Sequence, residues 1–237
     1  MCLIDLRLEP TIRNVGDAVS PCLTYALTSD GKTLISAKAS ANAYSDGGLI
    51  EFWDLPSLER RREQYSKARH LALVNRDSYV VAGCENGTIF VWTVPEGEFV
   101  VAMRGPEGGI SGLLPDPTGQ SIYSIGKQDP TRLSTTLQRW AIPNGNLMWT
   151  IDSGPINCWS ASADGTALFY GSGKMWVVDQ PRLIAIKTSD GALIDEQLLK
   201  SEAYKMPKNS VIEDVIIGCN DGAIQFWNWS GDLTRNY

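Results

Sequence analysis

The chain contains a single histidine, His70, and that scarcity excludes much chemistry. One imidazole and no Cys-x-x-Cys pair leave a closed structural zinc site without its ligands. No Ser or Cys stands in evident partnership with that one base either. The five cysteines, Cys2, Cys22, Cys84, Cys158 and Cys219, are odd in number and widely spaced, unlike a secreted disulfide framework. They read as reduced thiols in a cytoplasmic compartment, most of them acting as small buried hydrophobes. Long apolar runs are lacking, so no transmembrane helix is expected. The opening Met1-Cys2-Leu3-Ile4-Asp5-Leu6-Arg7 puts charges where a signal peptide needs an apolar core. Positive charge is in deficit. Against 27 acidic residues stand 21 basic ones, a net charge of −6, which disfavours nucleic acid as a partner because counterion release needs a basic face. Gly105-Pro106-Glu107-Gly108-Gly109 is glycine-rich, but no Lys-Ser/Thr follows, so it reads as a connection and not a phosphate loop. Nothing here implies a metal or a cofactor.

Turn formers, by contrast, are plentiful. The 237 residues include 22 Gly and 12 Pro, with 43% apolar and 20% charged residues, the balance of a globular chain built from many short strands. A repeat runs through it. Residues 79–92 and 214–227 share six of 14 positions, and each reads as an apolar strand, an Asn-Gly or Asp-Gly turn and a second strand. That second strand recurs with an anchor at its end: Trp53, Trp92, Trp140, Ile186 in the indole's place, and Trp227. Successive anchors lie 39, 48, 46 and 41 residues apart. Three residues before each comes an aliphatic, Ile50, Ile89, Leu137, Leu183 or Ile224. Strand alternation puts anchor and aliphatic on opposite faces, each expected against a neighbouring sheet. Turn glycines keep the same register, with Gly31, Gly119 and Gly165 before the anchors and Gly97, Gly145, Gly191 and Gly231 after them. Tight hairpins need the positive φ that glycine supplies.

The spacing therefore predicts an all-β chain of about five units, each of four antiparallel strands a to d with the anchor ending strand c. The units run over residues 19–66, 67–105, 106–152, 153–200 and 201–237, preceded by a spare strand in residues 1–18. A period of about 40–45 residues with four strands resembles the WD-repeat β-propeller family. The likeness is carried by Phe52-Trp53-Asp54-Leu55 after Ser45-Asp46-Gly47, and by Asp221-Gly222-Ala223-Ile224-Gln225-Phe226-Trp227. That resemblance implies blades set radially, with residues 1–18 as a ring-closing strand. It also implies a Gly-His before strand a whose imidazole bonds an Asp and the strand-c Trp. Only His70 exists, too close to Trp92 for that spacing, so the expectation is a divergent propeller held mainly by packing. Asn144-Gly145-Asn146-Leu147-Met148-Trp149 is also similar to repeats of the quinoprotein-type propellers. Three closures stay open: a five-blade ring, an open ring completed by a partner or a second copy, and a piece of a longer propeller.

The expected function is a non-catalytic scaffold or sensor that binds proteins as part of a larger complex. Two alternatives are a lectin-like binder of small ligands and a propeller glycoside hydrolase. The first needs one set of aromatic and polar residues per loop, and the loops differ. The second needs carboxylates on the inner strands, and the predicted inner strands carry none. The b–c loops near residues 39–48, 127–134 and 173–182 are long, which favours the b–c/d–a end as the partner face. Met175 and Trp176 lie in the third loop, where an indole serves either as an interface anchor or in packing. Arg60, Arg61 and Arg62, with Arg69 nearby, form a basic run. It reads as a charged outer strand that blocks edge pairing or as a contact for an acidic partner.

Overall fold

Apolar alternation between glycine turns makes strands, and the computed structural model has 23 of them and no helix among the residues it describes, which are 2–5, 11–14, 21–39, 48–127, 134–173, 180–207, 209–210, 215–227 and 233–236. Strands β1 (Cys2–Asp5) and β2 (Thr11–Asn14) pair only with each other. Blade 1 consists of β3 (Cys22–Leu27), β4 (Thr33–Ala39), β5 (Gly48–Asp54) and β6 (Glu59–Tyr65). Blade 2 holds β7 (Ala68–Val74), β8 (Tyr79–Cys84), β9 (Thr88–Thr93) and β10 (Phe99–Arg104). Blade 3 holds β11 (Ile110–Pro115), β12 (Ser121–Lys127), β13 (Thr135–Ala141) and β14 (Leu147–Ser153). Blade 4 holds β15 (Ile156–Ser162), β16 (Ala167–Ser172), β17 (Arg182–Lys187) and β18 (Leu193–Leu198). In blade 5, β19 (Ala203–Lys205), β21 (Val215–Cys219), β22 (Ile224–Trp227) and β23 (Leu233–Asn236) form the sheet.

One strand departs from the simple repeat. Blade 5 has no glycine turn after its inner strand, and Pro207 lacks the N–H to extend β19. The chain instead sends β20 (Asn209–Ser210) to the inner edge of blade 4, parallel to β15. In blade 2 the corresponding turn is made without glycine, by Asn75, Arg76 and Asp77 at φ of 52°, 52° and 65°. The outer place in blade 5 is taken by β23.

Each blade carries two β-bulges at matching places. Strand a gains one extra residue near its start, Leu23, Arg69, Ser111, Asn157 or Tyr204. Strand d gains one opposite the anchor, Arg61, Val100, Met148, Ile194 or Thr234. A bulge bends its strand and raises the local twist, and these bulges recur at both edges of every blade.

Packing between blades uses the two faces of strand c in turn. Every anchor after the first faces the preceding blade. Trp92 packs with Ile35, Ile50 and Phe52 of blade 1, and Trp140 with Val81, Ile89 and Val91 of blade 2. Ile186 packs with Tyr123 and Leu137 of blade 3, and Trp227 with Phe169 and Leu183 of blade 4. The aliphatic three residues earlier faces the next blade, as Ile50, Ile89, Leu137 and Leu183 do in those clusters. Burying such a side chain contributes roughly 1.5–3 kcal/mol, which is why both positions stay apolar along the chain. Among the described residues no comparable cluster joins blade 5 to blade 1.

Local acceptors replace the missing histidine network. The indole N–H of Trp227 donates to Gln225 Oε1 at 3.0 Å, that of Trp53 to Glu51 Oε2 at 3.3 Å, and that of Trp140 to Ser124 Oγ at 2.9 Å. Blade 3 adds a buried polar lock around Asp116. Its carboxylate accepts from Ser121 Oγ at 2.7 Å, Tyr123 OH at 3.0 Å and Arg139 Nη2 at 2.8 Å. Burial opposes ionisation of Asp116, but hydrogen bonds from Thr118, Ser121 and Tyr123 outweigh it and hold the pKa below the ordinary aspartate value. Burial also pushes the Tyr123 hydroxyl well above its usual range.

Candidate functional site

The basic run divides between the two ends of the disc. Arg60, Arg61 and Arg62 lie on the outer strand of blade 1, beside its c–d turn. Arg69 lies at the start of the inner strand of blade 2, at the b–c/d–a end. Each is engaged by an acid. Arg60 Nη1 stands 3.0 Å from Glu51 and 2.5 Å from Glu63, with its guanidinium 6.0 Å from the Trp53 ring centre. Arg61 pairs with Asp54, Arg62 with Glu98 of blade 2, and Arg69 Nε with Glu85 at 2.6 Å. Arg61 is the bulge residue of its strand d, and Arg69 that of its strand a. Asp54, the one acid that follows an anchor Trp directly, caps its turn through Ser57 Oγ at 2.6 Å. The Ser57 hydrogen bonds, and then the Arg61 guanidinium, hold its pKa below the ordinary value. Met175 and Trp176, and with them residues 40–47 and 128–133 of the other long b–c loops, lie outside the described residues.

The a–b/c–d end carries a cleft of about 370 Å³ between blades 1 and 2. Asp30, Asp54 and Asp77 line it together with Lys32, Arg61 and Arg76. The backbone N–H of Ser29 donates to Asp77 at 2.6 Å across the blade boundary. Its charges are balanced, and hydrogen bonds hold two of its acids below the ordinary aspartate pKa, Asp30 through Lys32 N–H and Thr28 Oγ1 and Asp54 through Ser57. Of these acids, Asp77 braces the two blades. A proton-transfer acid needs a raised pKa, and Asp30 and Asp54 are shifted the other way. Among the described residues, no three His, Cys, Asp or Glu side chains gather as metal ligands.

Sequence reasoning missed the apolar rim. Two residues after the c–d turn glycines Gly97, Gly145 and Gly191 come Phe99, Leu147 and Leu193, exposed to 58%, 48% and 58%. They open strand d opposite the anchors Trp92, Trp140 and Ile186. The recurrence two places after each glycine was readable, but the exposure of these side chains was not.

No family model matches the sequence, and no curated protein does. The fold is far more widely shared, with 1464 chains of solved structures alike. One belongs to the crystal structure of the mitotic checkpoint complex, with a TM-score of 0.73 and 14% identity over 96% of this chain and 70% of that one. The fold is a β-propeller. Its blades fit the WD-like pattern, and the five together span 70% of a larger chain of the same architecture.

Proposed function

We propose that this propeller is a non-catalytic interaction module, a scaffold or sensor that holds protein partners within a larger cytoplasmic assembly. The rim formed by Phe99, Leu147 and Leu193 carries this reading. Apolar side chains repeated on a rigid surface cost solubility and gain contact area with a partner. Further support comes from the inner strands, which display no carboxylate in their described residues. The solved chain it resembles also works inside a multi-subunit complex. Partners on the b–c/d–a face would use Met175, Trp176 and Arg69, with Arg60, Arg61 and Arg62 on the outer strand as a secondary contact. Free cysteines, three buried and Cys22 exposed, suit a reducing compartment.

The test is affinity capture from the native cells with the chain and its triple variant Phe99→Ser, Leu147→Ser, Leu193→Ser. Defined partners retained by the chain and lost with the variant, at unchanged circular dichroism, support the proposal. Equal capture by both removes the rim from it, and saturable turnover of any glycan by the purified chain contradicts the whole reading.

A further inference from the structure

The rim side chains of blades 2, 3 and 4 belong to one band. Each c–d turn rests on the outer strand of the blade before it. A Cβ placed on Gly145 would lie 3.0 Å from Val101 and Met103 of blade 2, and one on Gly191 would lie 2.9 Å from Ile151 of blade 3. Val101 follows Phe99 by two residues, and Leu147 follows Gly145 by two. The turns therefore carry the apolar surface from one outer strand to the next. The bulge residues widen it, since Met148 is 48% and Ile194 39% exposed beside Leu147 and Leu193. Blade 1 ends the series, with Arg60 opposite its anchor and Arg61 in the bulge.

The charge along this band has one sign. Residues 94–101, 142–149 and 188–195 make up the three turns and the start of each outer strand. They include the acids Glu96, Glu98, Asp190 and Asp195 and no base, with Lys187 just before the third turn. Arg62 of blade 1 engages Glu98. Glu96, Asp190 and Asp195 form no ion pair among the described residues. An apolar strip among unpaired acids calls for an occupant that is both apolar and basic.

The direction of the band decides the occupant's backbone. It crosses the starts of three outer strands, and each strand carries its bulge there, at Val100, Met148 or Ile194. A bulge interrupts the ladder and blunts an edge against strand addition. A segment lying across such edges cannot pair its backbone with them and must satisfy its own N–H and C=O groups. We infer that the rim docks a basic amphipathic α-helix of a partner protein, its apolar stripe on Phe99, Leu147 and Leu193 and its cations toward Glu96 and Asp190. The inference rests on the interaction reading and names the chemistry of the partner. A membrane surface is the poorer occupant, because these acids repel anionic lipid headgroups.

The test is a selection. The full chain is the target for a displayed library of random peptides of about 18 residues, about five helical turns. The triple variant Phe99→Ser, Leu147→Ser, Leu193→Ser is the counter-target. Enriched peptides are expected to carry apolar residues at i, i+3, i+4 and i+7, to be net positive, and to gain helical circular dichroism on binding. The affinity of the best of them should fall about fivefold with Glu96→Lys and Asp190→Lys together, at an unchanged thermal midpoint. Should that variant lose its β-sheet spectrum, raised salt tests the same attraction by screening it. Peptides that alternate with period two, net negative peptides, an affinity indifferent to the acids and to salt, or no enrichment over the counter-target overturn the inference. Rim-dependent binding of the chain to phosphatidylserine vesicles does so too. Where capture of partners from cells still depends on the rim, the interaction reading survives that result; where capture is indifferent to it, the rim drops out of both.

Discussion

Blades 2 and 5 are built from nearly the same words and live in different surroundings. Their b–c hairpins share Val, Gly, Cys, Gly, Ile and Trp in register, and each anchor indole packs on the blade before it. Ile89 is wholly buried while Ile224 stands half in water. Gly83 receives Ile110, and Gly218 receives nothing from a neighbouring blade among the described residues. Composition therefore tells what a blade is made to bury, and only the neighbour decides whether it is buried.

The comparison breaks most visibly in the middle of the arc, where a blade is gripped on both sides. Replacing Asp116 with Ala leaves Arg139 buried without its partner and should cost about 3–5 kcal/mol in urea titration. A carboxylate depressed in the folded chain contributes fully above its ordinary value of 3.8 and loses that contribution as pH falls through its lower folded value. Asp116→Ala should therefore flatten the stability profile below about pH 4. Next in size, Ile89→Ala should cost about 2–5 kcal/mol, the range for emptying a core site. Its counterpart Ile224→Ala should stay within about 0.5 kcal/mol. Gly83→Ala forces a methyl against Ile110 and should cost roughly 1–3 kcal/mol, whereas Gly218→Ala should be neutral or gain up to about 1 kcal/mol, because glycine weakens a strand interior. Small too is Arg62→Ala, which removes an exposed pair with Glu98 and should change the unfolding free energy by about 1 kcal/mol or less.

Much of this fold was legible because its signals are periodic. Anchors, their preceding aliphatics and the turn glycines recur at set distances, and the blade limits follow from them. Gly31, Gly119 and Gly165 before the anchors and Gly97, Gly145 and Gly191 after them all take positive φ, between 69° and 76°. What stayed hidden has no period. The blade 2 turn uses Asn75, Arg76 and Asp77 at positive φ, which asparagine and aspartate tolerate and arginine does not advertise. The two-residue strand at Asn209–Ser210 pairs with a blade other than its own, a choice no local pattern encodes. The arginines were conspicuous as a run, but their acids sit 7 to 36 residues away in sequence for Arg61 and Arg62, so the pairing emerges only on folding. The rim and the exposed Ile224 were invisible for the same reason: exposure belongs to the assembled arc.

Thiol labelling of two single-site variants bears most directly on the account. Ile89→Cys and Ile224→Cys, each made with Cys2→Ser and Cys22→Ser so that neither native thiol reports, are treated with a disulfide reagent under native conditions. The account predicts prompt labelling at position 224 and none at 89 before global unfolding. Equal protection at both positions would mean that blade 5 is already covered, and would contradict it.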